Sequence, residues 1–322
     1  MRTLFVGAGA TGGYFGGRLA AAGKDVTFLV RPGRAAVLAE RGLRIKGPDG
    51  TTVVQPRLIT ADAVDGHYDL VVLAVKSYAL EPAMMDMAPA VGPDTVVVPL
   101  LNGMRHIDEM VGAFGAERAW GGVCMIHASL DADGDVVQMT GLHRLLFGPL
   151  DGEAVTRLAD VTEALTAPGF SAPSGGPGAG GGTAAGFDSS PSLTIVQDMW
   201  DKWVFLASLG AATTLMRATV GDINAAPGGM DFGARIAAES MAIATAAGFP
   251  PRPEAIAFLQ SGIATTEPMT SSMYRDMMQG LPVEADAILG DFVAEAAKYD
   301  VPVPTLAAAY TNLAIYSAKL SG

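Results

Sequence analysis

The chain has 322 residues, of which 50% are hydrophobic and 17% charged, and its formal net charge at pH 7 is −12. The length favours two domains over one. The negative charge argues against nucleic acid or an anionic membrane as the main partner. Cys124 is the single cysteine, which excludes an intramolecular disulfide and argues against a cysteine-based metal site. The sequence shows no signal peptide and no apolar run long enough to span a membrane, and therefore predicts a soluble cytoplasmic protein.

The first half of the chain alternates strand and helix signals. A helix is predicted over 14–22, and Gly23 ends it. The predicted strands are short apolar or β-branched runs at 3–6, 25–30, 69–75, 95–100, 123–128 and 144–148. The runs at 69–75 and 95–100 are almost continuously apolar, as expected for a parallel sheet that is covered on both faces. The fold class predicted for residues 1–168 is therefore α/β, an N-terminal Rossmann-type doubly wound sheet.

A Gly-rich tract at 172–186 separates this half from the rest. Its composition predicts a linker or surface loop over 169–191, with a lid as the alternative. From residue 192 onward apolar side chains recur at helical spacing. Helices are predicted after that point at 232–247, 253–262, 270–279, 284–299 and 305–319. The second domain, 192–322, is therefore predicted to be all-α.

The segment GAGATGGYFGGRL at 7–19 follows the first predicted strand and leads into a helix. Its glycines Gly7, Gly9 and Gly12 fit the pattern G-x-G-x-x-G, with Ala10 and Thr11 between them. In that context the pattern predicts a dinucleotide site, because the glycines permit a tight turn and let the backbone approach a pyrophosphate at the helix N-terminus. An ordinary glycine-rich turn is the alternative.

The end of the second predicted strand indicates which dinucleotide binds. NAD sites usually carry an acid there, which bonds the ribose 2′-hydroxyl. Here Arg31 and Arg34 occupy this place, and the next acid is Glu40. Because arginine pairs well with phosphate, the sequence predicts NADP (NADPH) as the cofactor. Solvated surface arginines are the alternative.

Two further polar residues follow predicted strands, where ligands bind in open α/β sheets. They are Lys76 in AVKS and Asn102 in LLNGM. Together with the glycine loop, WDKW at 200–203 and SSMYRDMMQG…VEAD at 271–286, these motifs make the chain resemble the ketopantoate reductase (2-dehydropantoate 2-reductase) family. The resemblance covers nearly the whole chain apart from the Gly-rich tract.

The resemblance implies an NADPH-dependent reduction of a 2-oxoacid to a 2-hydroxyacid, as from ketopantoate to pantoate in pantothenate biosynthesis. It implies Lys202 and Glu284 as catalytic residues and Ser272 as a substrate-binding residue. Asn102 would contact both cofactor and substrate, and Lys76 the cofactor. The chemistry agrees, because an ammonium can stabilise the charge that grows on a carbonyl oxygen during hydride transfer and then donate a proton.

Each of these residues also has an ordinary structural explanation. Lys202 could pair with Asp198 one helical turn earlier. Glu284 and Ser272 could simply stand at helix starts, where acids and hydroxyls are favoured. Lys76 and Asn102 could be loop residues without a role.

The match departs from the family on the helix that carries Lys202. The family usually has asparagines one and two turns further on, whereas this chain has Leu206 and Gly210. Thr213 could compensate in part. Because sites that hydrogen-bond a substrate discriminate strongly by that contact, the departure predicts a different or bulkier 2-oxoacid, or a displaced binding pose.

Two other functions compete with this reading. One is a non-catalytic NADP-binding sensor, and the other is a related hydroxyacid or opine-type dehydrogenase. The expected partner is a small-molecule 2-oxoacid, with a homodimer left open as the assembly. The four histidines have no metal-ligand spacing, so no metal site is predicted.

Overall fold

A computed structural model of the protein describes residues 1–48, 50–153, 156–166 and 186–321. All but the last residue of the Gly-rich tract at 172–186, predicted as linker or lid, lies outside the described residues. The chain groups into two compact units. One comprises Met1–Leu101 and His106–Val196, and the other comprises Asn102–Arg105 and Gln197–Gly322.

The N-terminal unit contains ten strands among its described residues. In chain order they are β1 (Thr3–Val6), β2 (Val26–Leu29), β3 (Leu43–Gly47), β4 (Gly50–Val54), β5 (Arg57–Ile59), β6 (Tyr68–Leu73), β7 (Val91–Pro99), β8 (Trp120–Leu130), β9 (Val136–Pro149) and β10 (Asp188–Pro191). The first helices of the chain are α1 (Ala10–Ala21), α2 (Pro32–Arg41), α3 (Leu80–Met87), α4 (Arg105–Phe114) and α5 (Arg157–Leu165).

Five of these strands form a parallel sheet in the order β5-β2-β1-β6-β7. Consecutive residues of β1 pack into different cores: Phe5 joins Phe28 on one face, whereas Leu4 and Val6 join Leu73 on the other. Burial on both faces explains the continuous apolar runs in the sequence. The strand order reverses beside β1, so the predicted doubly wound sheet is confirmed.

The other strands form a second sheet, ordered β10-β9-β3-β4, with β8 also paired to β9. The strands predicted at 123–128 and 144–148 lie here, as parts of the long antiparallel pair β8–β9, and not in the parallel sheet. The β3–β4 hairpin was not predicted. β10 occupies the end of the predicted linker and pairs with β9. Apolar runs indicate strands but not their partners, because pairing depends on distant parts of the chain.

The described residues from 197 onward contain helices and no strand, in agreement with the predicted all-α class. The helices are α6 (Ile195–Met216), α7 (Val220–Ala225), α8 (Gly229–Ala246), α9 (Pro253–Ile263), α10 (Ser272–Met278), α11 (Asp291–Lys298) and α12 (Pro304–Ser321). A π-helical turn, Asp286–Gly290, precedes α11. The sequence predicted one unbroken helix at 284–299. None of the helices in the described part of the chain is long and apolar enough to cross a membrane.

Aromatic side chains hold α6 in this unit. The ring of Trp203 lies 4.7 Å from that of Phe292, and the ring of Trp200 stacks on Phe249 at 5.3 Å. Glu239 on α8 accepts the backbone N–H groups of Thr305 and Leu306 and so caps α12. Buried aromatic pairs and satisfied helix ends both stabilise the packing.

Candidate functional site

The glycine loop connects β1 to α1, and its glycines have different physical roles. Gly7 has a φ of +97°, and its amide donates to Leu29 O at 2.9 Å. A Cβ at Gly12 would stand 2.2 Å from Gly7 O, so no side chain fits there. A Cβ at Gly9 would have no atom of any described residue within 4 Å, apart from Gly9 and its two chain neighbours. Gly12 is therefore required for packing, whereas Gly9 leaves open space in front of the backbone.

This open space lies at the N-terminal end of α1. Gly9 is the N-cap residue, and Ala10, Thr11 and Gly12 begin the helix. Amides in the first turn of a helix have no intrahelical acceptor, and the helix dipole adds partial positive charge. The first turn also carries no acidic side chain. These features fit the pyrophosphate of a dinucleotide.

Lys76 lies close in sequence to residues that contact this loop. A Cβ added at Gly7 would meet Ala74 and Val75, the two residues before Lys76, and a Cβ added at Gly12 would meet Ala74. Ala74 N also donates to Val6 O at 2.9 Å, so this segment adjoins the end of β1. Lys76 itself is exposed.

The two arginines after β2 differ in their surroundings. Arg31 is the exposed N-cap residue of α2. Arg34 is half-buried and donates through Nε and Nη2 to Ala8 O, and through Nη1 to Gly134 O. Burial lowers the pKa of the Arg34 guanidinium, with Asp135 opposing. The phosphate-binding role that the sequence suggested for both arginines therefore rests on Arg31.

Asn102 belongs to the C-terminal unit, unlike the strand that precedes it. Its neighbour Gly103 has a φ of +81°, and a Cβ there would stand 2.3 Å from Ala287 O. Arg105 forms an ion pair with Asp291. Burial raises the pKa of the Asp291 carboxyl, and the charge of Arg105 opposes this rise without cancelling it. Both contacts hold the half-buried Asn102 near the π-helical turn.

The same turn connects the two predicted catalytic residues. Trp203, adjacent to Lys202, donates its indole N–H to Ile288 O at 3.0 Å. Ile288 N donates to Glu284 O at 3.1 Å. π-Helical turns inside helices are frequent at functional sites. The segments that carry Lys202 and Glu284 are therefore joined through one buried indole.

The environments of Lys202 and Glu284 differ. Glu284 is 5% exposed, an uncommon position for a carboxylate, whereas Lys202 is half-buried. Arg252 donates to Asp198, the ion-pair partner considered for Lys202, and to Asp201 at 2.6 Å.

The adjacent serines Ser271 and Ser272 have different structural roles. Ser271 is the N-cap of α10 and accepts from Tyr274 N at 3.0 Å, while Ser272, half-buried, is the first helical residue. The helix-start role considered for Ser272 thus falls to Ser271. Thr213 is fully buried, donates to Leu209 O and contacts Ser271. The Thr213 hydroxyl is therefore engaged within the fold, and its compensation for a missing amide stays a prediction.

The two positions that differ from the family pattern, Leu206 and Gly210, offer no polar side chain on α6. Leu206 is half-buried, one turn beyond Lys202 on α6. Gly210 follows one turn later, and a Cβ there would stand 2.3 Å from Met273 Cε. The methionine methyl occupies the space that a larger side chain would need.

Two residues make structurally important hydrogen bonds that were not predicted from the sequence. Trp203 stands within the WDKW motif, but its indole acceptor is 85 positions away in the chain. Arg34 was noticed only as a phosphate ligand. In both cases the hydrogen-bond acceptor is a backbone carbonyl. Every residue type has one, so the sequence does not reveal which carbonyl will accept.

Comparison with known proteins identifies the family. Residues 3–152 match the Ketopantoate reductase PanE/ApbA family, and residues 194–317 match its C-terminal domain. The chain belongs to the ketopantoate reductase family. It is 34% identical to an uncharacterized oxidoreductase of Bacillus subtilis, YkpB, over 99% of this chain and 100% of that protein. It is 27% identical to a 2-dehydropantoate 2-reductase of Halobacterium salinarum, over 95% of each.

Solved structures share the fold. A PanE/ApbA family ketopantoate reductase from Ralstonia eutropha matches with a TM-score of 0.84 at 22% identity, over 100% of both chains. A D-mandelate dehydrogenase solved with NADH and anilino(oxo)acetate matches with a TM-score of 0.83 at 21% identity, over 99% of this chain and 100% of that one. At these identities the likeness concerns architecture alone.

Membership in the ketopantoate reductase family establishes the class of reaction. The protein is an oxidoreductase that acts on CH–OH groups and interconverts 2-oxoacids and 2-hydroxyacids with a nicotinamide cofactor. The predicted resemblance and the predicted enzyme class are both confirmed. The open backbone at Gly9 fits such a cofactor.

The two glycines provide the first testable prediction. Gly9→Ala should leave the unfolding free energy nearly unchanged but weaken dinucleotide binding at least about tenfold, a loss of about 1.4 kcal/mol, because the new methyl would meet only the ligand. Gly12→Ala should lower the unfolding free energy by about 1–3 kcal/mol through overpacking. Urea denaturation and fluorescence titration would measure the two quantities. Equal losses of stability in both variants would contradict the assignment.

The hydrogen bond from the Trp203 indole to Ile288 O provides the second testable prediction. Trp203→Phe keeps a ring against Phe292 but leaves the buried Ile288 carbonyl without its donor, which should cost about 1–3 kcal/mol of unfolding free energy. It should also raise the KM for the oxoacid, because the π-helical turn follows Glu284. Trp200→Phe, in the same aromatic cluster, is the control. The prediction fails if the two variants have the same stability and the same KM.

Proposed function

We propose that this protein reduces a 2-oxoacid with an apolar side chain to the 2-hydroxyacid, using NADPH, with Lys202 as the general acid. The observation that carries this proposal is the arrangement around the π-helical turn. Ile288 O binds the indole next to Lys202, Ala287 O adjoins Gly103 beside Asn102, and Glu284 precedes the turn. The proposal is supported by the neighbours of Lys202 and Asn102, which come from distant parts of the chain and contact one short segment that Glu284 precedes.

The proposed step follows from the charge that develops in the substrate. The chemistry of the nicotinamide cofactor, when bound, would be donation of a hydride to the carbonyl carbon, so that negative charge would grow on the carbonyl oxygen. The Lys202 ammonium stabilises this charge and transfers a proton from Nζ to the oxygen. Glu284 orients that ammonium or binds the product hydroxyl. Asn102 and Ser272 hold the substrate carboxylate through neutral donors.

The preference for NADPH rests on Arg31. It stands at the start of α2, two residues after the end of β2, the strand that pairs with β1, and its side chain is exposed. A guanidinium there can form paired hydrogen bonds with a 2′-phosphate. The sequence between β2 and Glu40 contains no carboxylate that could bond a ribose 2′-hydroxyl instead.

The apolar substrate is inferred from α6. Leu206 and Gly210 continue the face of α6 that begins at Lys202, and Met273 closes the space over Gly210. This face of α6 therefore offers no amide with which to bind a substrate hydroxyl. Because a missing hydrogen-bond partner changes substrate choice strongly, ketopantoate should lose its advantage over its deoxy analogue.

A matched pair of substrates tests this function. Ketopantoate carries a hydroxymethyl group where 3,3-dimethyl-2-oxobutanoate carries a methyl, and the two acids are otherwise identical. Oxidation of NADPH, followed at about 340 nm, should give a kcat/KM for the dimethyl acid equal to or above that for ketopantoate. Leu206→Asn should shift the ratio towards ketopantoate. A strong preference of the unmodified protein for ketopantoate would contradict the apolar site, and turnover of neither acid nor of larger apolar 2-oxoacids would contradict the proposed reaction.

The role of Lys202 gives the third prediction. Lys202→Ala should lower kcat by about 10²–10⁴-fold, the usual contribution of a positioned general acid. Thermal stabilisation by the cofactor should stay as in the unmodified protein. Lys298→Ala, which removes an exposed lysine of α11, is the control. Near-normal turnover of Lys202→Ala would exclude it as the proton donor.

The preference for NADPH over NADH gives the fourth testable prediction. A ligand at 100 times its Kd stabilises the fold by about 2.7 kcal/mol, so NADPH should raise the Tm more than NADH at equal concentration. Arg31→Gln should abolish that difference by weakening NADPH binding alone. Equal Tm shifts in the unmodified protein would refute the role of Arg31.

A further inference from the structure

We propose that Arg34 is a positioning residue for the cofactor: its guanidinium fixes the Ala8–Gly9 peptide so that the Gly9 N–H faces the dinucleotide pyrophosphate. The inference rests on the nicotinamide cofactor and concerns a residue that does not itself contact the ligand. Of the two arginines that follow β2, Arg31 would then bind the 2′-phosphate and Arg34 would fix the conformation of the glycine loop.

The contact between Arg34 and the loop is two-pronged. Nε lies 3.1 Å and Nη2 lies 2.9 Å from Ala8 O, so one carbonyl receives two charged donors. Ala8 is buried, at 3% exposure. Charge-assisted pairs of this kind are stronger and more directional than neutral hydrogen bonds.

The direction of this carbonyl determines that of the next amide. In a planar trans peptide the C=O of one residue and the N–H of the following residue point to opposite sides. Because Arg34 binds Ala8 O, the Gly9 N–H must point away from Arg34. Apart from Gly9 and its two chain neighbours, no described residue has an atom within 4 Å of where a Gly9 Cβ would be, so a ligand can approach the backbone at this residue.

Arg34 is itself held by a turn of the second sheet. Its Nη1 donates to Gly134 O at 2.9 Å, in the connection between β8 and β9. Asp131 Oδ1 organises that turn by accepting the amides of Asp133 at 3.0 Å and Asp135 at 2.9 Å. The turn therefore presents the Gly134 carbonyl in a defined position.

Charged side chains brace the same turn against the second sheet. The nearly buried carboxylate of Asp135 lies 3.2 Å from Arg44 Nε and 2.9 Å from Lys46 Nζ, both on β3. Lys46 also bonds Asp131 at 2.6 Å. Arg34 thus connects a braced turn to the glycine loop, and a rigid support of this kind is what precise positioning requires.

The two possible roles of Arg34 predict different affinities. If Arg34 bound the 2′-phosphate, its loss would weaken NADPH and spare NADH. If it orients the Gly9 amide, its loss must weaken both cofactors by the same factor, because both carry the same pyrophosphate. The ratio of the two Kd values therefore separates positioning from direct recognition.

The test compares Arg34→Gln with Arg31→Gln in the full chain. Kd values for NADPH and NADH are measured by fluorescence titration at one salt concentration. We expect Arg34→Gln to weaken both cofactors about tenfold or more, as for residues that orient a liganding group, with an unchanged ratio. Arg31→Gln should weaken NADPH alone. Arg34→Lys keeps the charge but not the fork and should lose less affinity, again equally for both.

A second readout uses the protein without cofactor. The Gly13 amide donates to Gly9 O at 2.8 Å, so amide hydrogen exchange over 7–13 reports the order of the loop. Arg34→Gln should speed exchange there while leaving α6 unchanged. If Arg34→Gln does not fold, Arg34→Lys supplies both measurements. A loss confined to NADPH, unchanged binding of both cofactors, or unchanged exchange over 7–13 would each overturn the proposal, and none of them would bear on Lys202.

Discussion

The helix α1 can begin where it does because position 12 has no side chain. Any Cβ there would press into the Gly7 carbonyl at 2.2 Å and into Ala74 Cβ at 2.9 Å. This close approach places the first-turn amides of α1 at the edge where β1 and β6 end. The dipole of α1 and the open backbone at Gly9 can act on a pyrophosphate only from that position. Arg34 then sets the orientation of the peptide that precedes the helix.

The C-terminal unit depends on an equally local device. One indole N–H and one carbonyl join α6 to the π-helical turn, and Gly103 adjoins the same turn from a different part of the chain. The segments that carry the candidate residues Asn102, Lys202 and Glu284, which are remote from one another in the chain, thereby meet in one frame. Such a frame suits catalysis, because a proton donor acts efficiently only when its position is maintained by the packing around it.

The sequence predicted four of the five parallel strands and the glycine loop, since both depend on local patterns, but it did not predict β5. Continuous apolar runs require two covered faces, and the spacing of Gly7, Gly9 and Gly12 has one common physical use. The second sheet was missed as a separate sheet because its pairing joins segments up to about a hundred residues apart. The roles of Ser271 and Thr213 were also not readable, because capping and burial depend on where α10 meets α6.

The sequence by itself determined the family, the class of reaction and the residue types available for it. It also indicated an apolar replacement on α6, since Leu206 and Gly210 stand where amides were expected. Only the tertiary structure decided which polar groups are committed to the fold, as Arg34 and Thr213 are, and that Met273 closes the space at Gly210. The physical reason is that hydrogen bonds to backbone carbonyls and contacts between side chains depend on distances between remote segments, and the order of residues does not encode those distances directly.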